Sequence, residues 1–139
     1  MINFYYETNF VLTKEVQVTS WINKVVVSES KSIGEINFIF CDDQYLLKIN
    51  QNFLNHDTFT DIISFDNSMG NKLSGDIYIS IERVRENADI FEVTFDEELR
   101  RVMIHGVLHY CGYKDKSKIE KEEMSGKEDE KLKMFHVEH

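Results

Sequence analysis

The chain has 139 residues, with 16 lysines and arginines against 25 aspartates and glutamates, and its formal net charge is −9. This length suits one domain with a buried core, and a hydrophobic content of 42% argues against global disorder. No apolar run approaches the ~20 residues that span a bilayer, and no secretory signal opens the chain. The two cysteines, Cys41 and Cys111, fit a reducing compartment, so we expect a soluble, cytoplasmic protein.

The first half of the chain alternates strand and helix patterns. β-Branched and aromatic residues predict a strand at residues 2–6, and Gly34 predicts a turn into a second strand at 36–40. Asp42 or Asp43 is expected to cap a helix that runs through residue 53. Between the two strands, a helix is predicted from 13 to 28, with an apolar stripe made of Val16, Val18, Trp21, Ile22, Val25 and Val26.

The second half predicts two strands and then three helices. The strands, 62–65 and 76–80, are separated by a polar segment typical of a hairpin connection or a lid, and the helices cover 81–90, 95–111 and 118–134. These patterns predict one compact domain over residues 1–139, with four strands and about five helices. Residues 126–139 are expected to fray. His136 and His139 lack a third partner and are not predicted to bind metal.

Two histidines four positions apart form the strongest functional pattern. Residues on a helix advance by about 100°, so His105 and His109 share one face and can reach one ion. Gly112 can adopt a left-handed conformation that ends the helix, and the chain can then return Asp115 to the same ion. Three protein ligands leave one tetrahedral position open, as in catalytic zinc sites. The predicted metal ligands are His105, His109 and Asp115, for zinc or else nickel, iron or cobalt.

Competing interpretations of this segment are simpler. Gly112 could merely stop the helix, with Asp115 capping the next one and the histidines on a polar face. Cys111 is turned away from the histidines by its helical phase. The position after the first histidine holds Gly106, where His-Glu-x-x-His peptidases carry their general base, which disfavours a peptidase.

The pattern His105-Gly106-x-Leu108-His109-x-x-Gly112-Tyr113 resembles the signature of the YbeY family of bacterial rRNA maturation endoribonucleases. Residues 60–65 (TDIISF) resemble that family's Thr-Asp-Val-Leu-Ser-Phe strand, and residues 75–80 (GDIYIS) its following Gly-Asp-Ile strand. The resemblance extends over about residues 35 to 130.

The resemblance implies an α+β domain with a mixed four-stranded sheet, about five helices and a zinc site at the end of a helix. It also implies that the protein binds one zinc ion and cleaves single-stranded RNA in 16S rRNA 3′-end maturation and ribosome quality control. Its implied partners are single-stranded rRNA and the ribosome or small-subunit proteins. Two alternatives stay open: a ribosome-associated binding factor with a mainly structural metal, and a small metallohydrolase, such as a peptidase, with another substrate. Beyond the metal ligands no catalytic residue is assigned, and the residues are compatible with both hydrolysis and a cyclic phosphate.

Two positions depart from the family pattern. Asp115 stands where the family usually has a third histidine, which makes the metal centre less positive and predicts an activity optimum at higher pH. Leu54 stands where the family usually has an arginine that could hold phosphate. His56 could substitute as an imidazolium, or it could be an ordinary turn residue.

The negative net charge is unusual for a protein that acts on RNA. Basic residues bracket the motif and could form a rim that attracts phosphate, or they could be ordinary solvated helix faces: Arg100, Arg101, Lys114, Lys116, Lys118 and Lys121. Asp61 and Asp76 are candidate acceptors for the second ring nitrogens of the histidines, or simple strand-end caps.

Overall fold

The computed structural model describes residues 1–56 and 58–135, and in these two ranges it contains four strands and five helices. Their order along the chain is β1 (Ile2–Tyr6), α1 (Glu15–Ser28), β2 (Ser32–Cys41), α2 (Asp43–Leu54), β3 (Ile62–Asp66), β4 (Lys72–Ser80), α3 (Ile81–Phe91), α4 (Phe95–Tyr110) and α5 (Lys118–Leu132).

The sheet is mixed, and its strand order is β1-β2-β4-β3. β1 pairs with β2 and β2 with β4 in parallel, whereas β3 runs antiparallel to β4. Parallel neighbours need a crossover, which α1 supplies between β1 and β2, while the polar segment at 67–71 closes a hairpin. The predicted α+β architecture, with a mixed four-stranded sheet and five helices, is confirmed.

The main core lies between one face of the sheet and helices α1 and α4. Phe38 and Phe40 of β2 and Ile77 and Ile79 of β4 alternate toward this side and are fully buried. A smaller cluster on the other face joins Cys41, Leu46 and Ile63 beneath α2. α4 is therefore held by the sheet from below and by α3 and α5 at its sides, which fixes the face that carries the histidines.

Two local predictions were wrong. Val16 is 80% exposed, because the apolar stripe of α1 begins only at Val18. Gly34 lies inside β2, at the shift of register between Ile33 and Ile36, and does not make a turn. A Cβ atom at this position would overlap Ser74 Oγ, so the close approach of β2 and β4 requires glycine there.

α5 begins with a capping box, in which Ser117 and Glu120 each bond to the other's backbone N–H. The helix continues past residue 126 to Leu132 and buries Met124, Glu128 and Lys131. These positions follow an i, i+4, i+7 spacing and form one face. His136 and His139 lie outside the described residues. Among the helices of the described ranges, none is both long and apolar enough to cross a membrane.

Candidate metal centre

α4 presents both histidines on one face. The helix begins where the Thr94 hydroxyl accepts the backbone N–H of Glu97, and it runs without interruption to Tyr110. Its regular geometry brings His105 Nε2 and His109 Nε2 to 3.0 Å from each other, with both rings partly buried. The predicted shared face is confirmed.

The turn after α4 returns an acidic side chain to the histidines. Gly112 has a φ of 106°, in the left-handed region that favours glycine, and Tyr113 N–H donates to the carbonyl of Leu108 at 3.1 Å. As a result, Asp115 Oδ2 lies 3.1 Å from His105 Nε2 and 3.3 Å from His109 Nε2. The side chain that caps α5 is Ser117, so the alternative in which Asp115 caps that helix is wrong.

The other nitrogen of each imidazole is also engaged. His105 Nδ1–H donates to Glu128 Oε2 at 2.6 Å, and His109 Nδ1–H donates to the carbonyl oxygen of Tyr113 at 2.9 Å. A proton held on Nδ1 leaves a lone pair on Nε2. Two nitrogen lone pairs and one carboxylate oxygen thus converge on a common point, an arrangement that a cation stabilises.

Neither of the acceptors predicted from the sequence holds a histidine. Asp76 lies within the sheet, where its Oδ1 accepts from the Asn37 side chain at 2.9 Å. Asp61 lines the cavity beside the histidines and accepts a weak 3.5 Å hydrogen bond from Asn87. Glu128 performs the predicted role for His105. No local sequence pattern singles out Glu128, because the contact joins α5 to α4 across 23 positions of the chain.

The geometry of the three donor atoms suits a small transition-metal ion. His105, His109 and Asp115 are the group of metal-ligating side chains found among the described residues. Zinc binds nitrogen and oxygen at about 2.0–2.1 Å, which in a tetrahedron separates neighbouring ligands by about 3.3 Å. The observed separations of 3.0, 3.1 and 3.3 Å agree with that spacing. The residues therefore fit a metal ion, although the donor set does not select zinc over its neighbours.

A cavity of about 450 Å³ opens beside this cluster. Its walls come from β3 and the segment before it, from α4, from the turn after α4 and from α5. The lining residues are Thr60, Asp61, Ile62, Ser64, Glu98, Arg101, Val102, His105, His109, Asp115 and Glu128. The cluster is thus at the edge of a space that could admit a substrate.

The charge of this cavity is predominantly negative and shifts the pKa values of its groups. Burial lowers the pKa of His105, but the hydrogen bond and negative charge of Glu128 outweigh it, so the pKa lies above its ordinary value. Burial raises the pKa of the Asp61 carboxyl. A proton therefore competes with a metal ion for His105 as the pH falls.

Glu98 has the most perturbed carboxyl of the cavity. It is 4% exposed, and burial, followed by the negative charge of Asp61, raises its pKa to about 7 even though Arg101 lowers it. The folded protein therefore holds a proton more tightly than the unfolded chain does between the ordinary pKa of 4.5 and about 7. Stability contributed by the protonated form is complete below 4.5 and is lost as the pH rises through about 7.

Replacing Glu98 with glutamine should remove this loss. We expect metal-free Glu98→Gln to be more stable than the parent at pH 8. As the pH falls from about 7 to 4.5, the difference in the free energy of unfolding should shrink by about 1.4 kcal/mol per pH unit. Urea unfolding of both proteins from pH 4 to pH 8 measures it. Parallel stability curves would contradict a raised pKa at Glu98.

Gly106 packs closely on the sheet, at the position where a His-Glu-x-x-His peptidase carries its general base. A Cβ atom at this position would lie 3.1 Å from the Cδ1 atoms of Ile62 and Ile77, already a tight contact. A larger residue there would require the Ile62 and Ile77 side chains to shift. The steric observation supports the argument from sequence against a His-Glu-x-x-His peptidase.

Cys111 does not belong to the cluster. Its side chain packs against the main core, burial raises the pKa of its thiol to about 11, and the group of converging ligand atoms is formed by His105, His109 and Asp115 without it. Cys41 is fully buried on the opposite face of the sheet.

The basic residues around the motif divide into two groups. Arg100 stacks on the Phe135 ring at 4.3 Å, and Arg101 is paired with Glu128 at 2.9 Å and with Asp129 at 2.6 Å. These two arginines therefore serve the packing of α4 and α5. The lysines are exposed and are the members that remain available for a basic rim: Lys114, Lys116, Lys118 and Lys121.

The position of the missing family arginine carries no positive charge. Leu54 ends α2 and is 41% exposed, and His56 follows it on the surface. The described residues that line the cavity include neither of them. Asp57, which completes the predicted turn, lies outside the described residues.

The fold and the cluster together define a class of small α+β proteins in which a helix and the turn after it hold a metal-capable His-His-Asp group at an open cavity. Comparison with known proteins names the family. The family model of endoribonuclease YbeY matches residues 3–136. Proteins named endoribonuclease YbeY are 66% identical over 137 residues in Flavobacterium psychrophilum and 63% identical over 138 residues in Flavobacterium johnsoniae.

These matches extend over nearly the whole of both partners. They cover 99% of this chain in each case, and 98% and 99% of the two relatives. The solution structure of TM1509 from Thermotoga maritima has a TM-score of 0.70 and 27% identity, covering 97% of this chain and 89% of that one. The chain belongs to the YbeY family, and the resemblance found in its sequence is confirmed.

Proposed function

We propose that this protein is a zinc-dependent endoribonuclease specific for single-stranded RNA, acting in 16S rRNA 3′-end maturation and ribosome quality control. The observation that carries the proposal is the convergence of His105 Nε2, His109 Nε2 and Asp115 Oδ2 at the edge of an open cavity. Membership of a family whose members are named endoribonucleases supports RNA as the substrate. The proposed setting is the cytoplasm, with the small ribosomal subunit or its proteins as partners.

In this proposal His105, His109 and Asp115 hold the zinc ion. Zinc would supply Lewis-acid polarisation of a phosphodiester and activation of water. The protein's own groups fix the donors: Glu128 orients the His105 ring, and the Tyr113 carbonyl orients the His109 ring. Asp61 and Glu98 give the rest of the cavity a negative lining, so substrate phosphate is drawn to the metal end rather than to the cavity walls.

The direct test compares cleavage by two proteins purified identically. Zinc-loaded parent should cut an end-labelled, single-stranded 16S rRNA 3′ fragment, and folded His109→Ala should not, because it lacks one metal ligand. His56→Ala serves as a matched control, since it removes a histidine that does not line the cavity. Parental cleavage by His56→Ala would also end the idea that His56 replaces the family arginine.

The binding-factor alternative is favoured by one observation, the absence of a cation at Leu54. A protein that holds rRNA without cutting it needs no phosphate clamp at the reacting bond. Equal cleavage by parent and His109→Ala, or none by either, would favour this alternative. The zinc content of both preparations, measured by mass spectrometry, shows whether His109→Ala has lost the metal ion.

The carboxylate at position 115 should set the pH dependence. An anionic ligand makes the centre less positive than a third neutral histidine would, so water is acidified less. We expect the kcat/KM profile of Asp115→His to have its optimum at lower pH than that of the parent. An optimum for Asp115→His at higher pH than that of the parent would contradict this role.

A further inference from the structure

Glu98 is a buried acidic residue whose carboxyl group has no hydrogen-bond or ion-pair partner among the described contacts. Its side chain lines the cavity and is 4% exposed, yet no described residue donates a hydrogen bond or an ion pair to its carboxyl group. Buried carboxylates normally have such partners. Burial therefore raises the pKa of Glu98 to about 7, and the group is left with unused acceptor capacity that faces the cavity.

The position of Glu98 separates it from the metal centre. It lies on the same face of α4 as His105 but seven positions earlier, which is about 10.5 Å along the helix axis. A group that transfers a proton to the reacting phosphodiester must come within about 2.6–3.2 Å of it. Glu98 is placed to contact the nucleotide beside the reacting bond instead.

The charges around Glu98 select what can bind there. The charges that act on Glu98 are those of Asp61 in the segment before β3, of Glu128 in α5, and of Arg101 and the more distant, exposed Glu97 in α4. Arg101 is already paired with Glu128 and Asp129. This end of the cavity repels phosphate and favours a neutral group that offers hydrogen-bond donors.

We propose that the Glu98 end of the cavity is a subsite for a guanine base of the RNA strand, next to the nucleotide that reacts at the metal centre. The Glu98 carboxylate accepts hydrogen bonds from guanine N1–H and N2–H, while Val102 and Ile62 contact the flat faces of the base. This inference rests on the proposed action on RNA.

Guanine is the base whose edge matches a carboxylate. It carries two adjacent donors, whereas adenine and cytosine place a donor beside an acceptor. A second metal ion fits the Glu98 end of the cavity less well than a base does. Among the described residues, three possible ligand atoms lie within 4.8 Å of one another at the His-His-Asp cluster, and Glu98 is not part of such a group.

The first experiment maps the cleavage sites of the zinc-loaded protein on single-stranded RNA of random sequence. Guanine should be enriched at one fixed position relative to the cut. Glu98→Gln should lose this enrichment in favour of adenine or cytosine, because an amide offers one donor and one acceptor. Glu97→Gln, an exposed neighbour outside the cavity, is the matched control and should keep the parental pattern.

The second experiment measures binding without cleavage. Fluorescence anisotropy compares 2′-O-methyl trinucleotides UGU, UCU and UAU on the zinc-loaded protein, and UGU should bind about tenfold more tightly than UCU. Glu98→Gln should erase that difference. A guanine preference in binding by a parent that does not cut RNA would support the subsite and refute the nuclease. Cleavage without a guanine preference, or a preference that Glu98→Gln retains, would overturn the subsite alone. Absence of both cleavage and preference would overturn both proposals.

Discussion

Replacing Glu128 with glutamine should weaken zinc binding by about 10- to 100-fold. Glu128 is 7% exposed, and its two oxygens accept from His105 Nδ1 at 2.6 Å and from Arg101 Nη1 at 2.9 Å. An amide keeps the size of the side chain but presents one NH2 group to a donor. Only one oxygen is then left to accept from His105 and Arg101, and the negative charge that makes His105 Nε2 a better ligand is lost.

Zinc affinity measured by competition with a chromophoric chelator tests this expectation. Asp129→Asn is the matched control, because Asp129 also pairs with Arg101 but is 58% exposed and does not touch a histidine. The control should bind zinc as the parent does, and thermal unfolding of both variants shows whether the fold is intact. Parental zinc affinity in folded Glu128→Gln would refute the orienting role of Glu128.

Replacing Lys131 with methionine should lower the free energy of unfolding by about 3–5 kcal/mol. The Lys131 side chain is 4% exposed, and its ammonium group donates to Glu29 at 2.8 Å, Glu130 at 2.9 Å and Ser28 at 2.9 Å. All three donors of the ammonium are thus engaged. Methionine fills the space but leaves Glu29 as a largely buried charge, 13% exposed, without its main partner.

Urea unfolding of the metal-free protein measures the loss. Lys127→Met is the control, because Lys127 is 32% exposed and its Nζ lies 3.9 Å from the same carboxylate, so about 0–1 kcal/mol is expected. Burial raises the pKa of Glu29, but hydrogen bonds from Lys131 and Tyr113 lower it overall. Stability from this pair is present above the ordinary pKa of 4.5 and falls as the pH drops through the folded value. Lys131→Met should flatten that fall; equal losses in the two lysine variants would contradict the buried pair.

The Lys131 pair also supports the metal centre. The Tyr113 hydroxyl donates to Glu29 at 2.7 Å, and the Tyr113 carbonyl accepts from His109. The indole N–H of Trp21 donates to the Lys131 carbonyl at 2.7 Å, which ties α1 to α5. The turn that carries Asp115 is therefore anchored by contacts with both helices.

The negative net charge has a local counterpart in the structure. Four carboxyl groups line the cavity, those of Asp61, Glu98, Asp115 and Glu128. The guanidinium group of Arg101 is already paired with two carboxylates of α5. In the proposed function, attraction of the RNA backbone falls to the metal ion and to the exposed lysines near the motif. The walls of the cavity then discriminate between bases rather than hold phosphate.

Short-range patterns in the sequence were sufficient for most of the architecture. The helix limits, the Asp42 cap of α2 and the hairpin at 67–71 follow from capping, periodicity and turn chemistry, which act over a few residues. The same holds for His105, His109, Gly112 and Asp115, because eleven consecutive residues of helix and turn contain them all. Val16 and Gly34 were misplaced because exposure and strand approach depend on distant partners.

The sequence by itself determined the fold class, the family and the three convergent donors. Only the tertiary structure decided what surrounds them. Glu128 contacts His105, which is 23 positions away in the sequence, and Lys131 contacts Glu29, which is still farther away in the sequence. Both contacts therefore exist only once α5 has packed against α4 and α1. The burial of Glu98 without a hydrogen-bond donor among the described residues was equally hidden, because it is a property of the packed cavity and not of any local pattern.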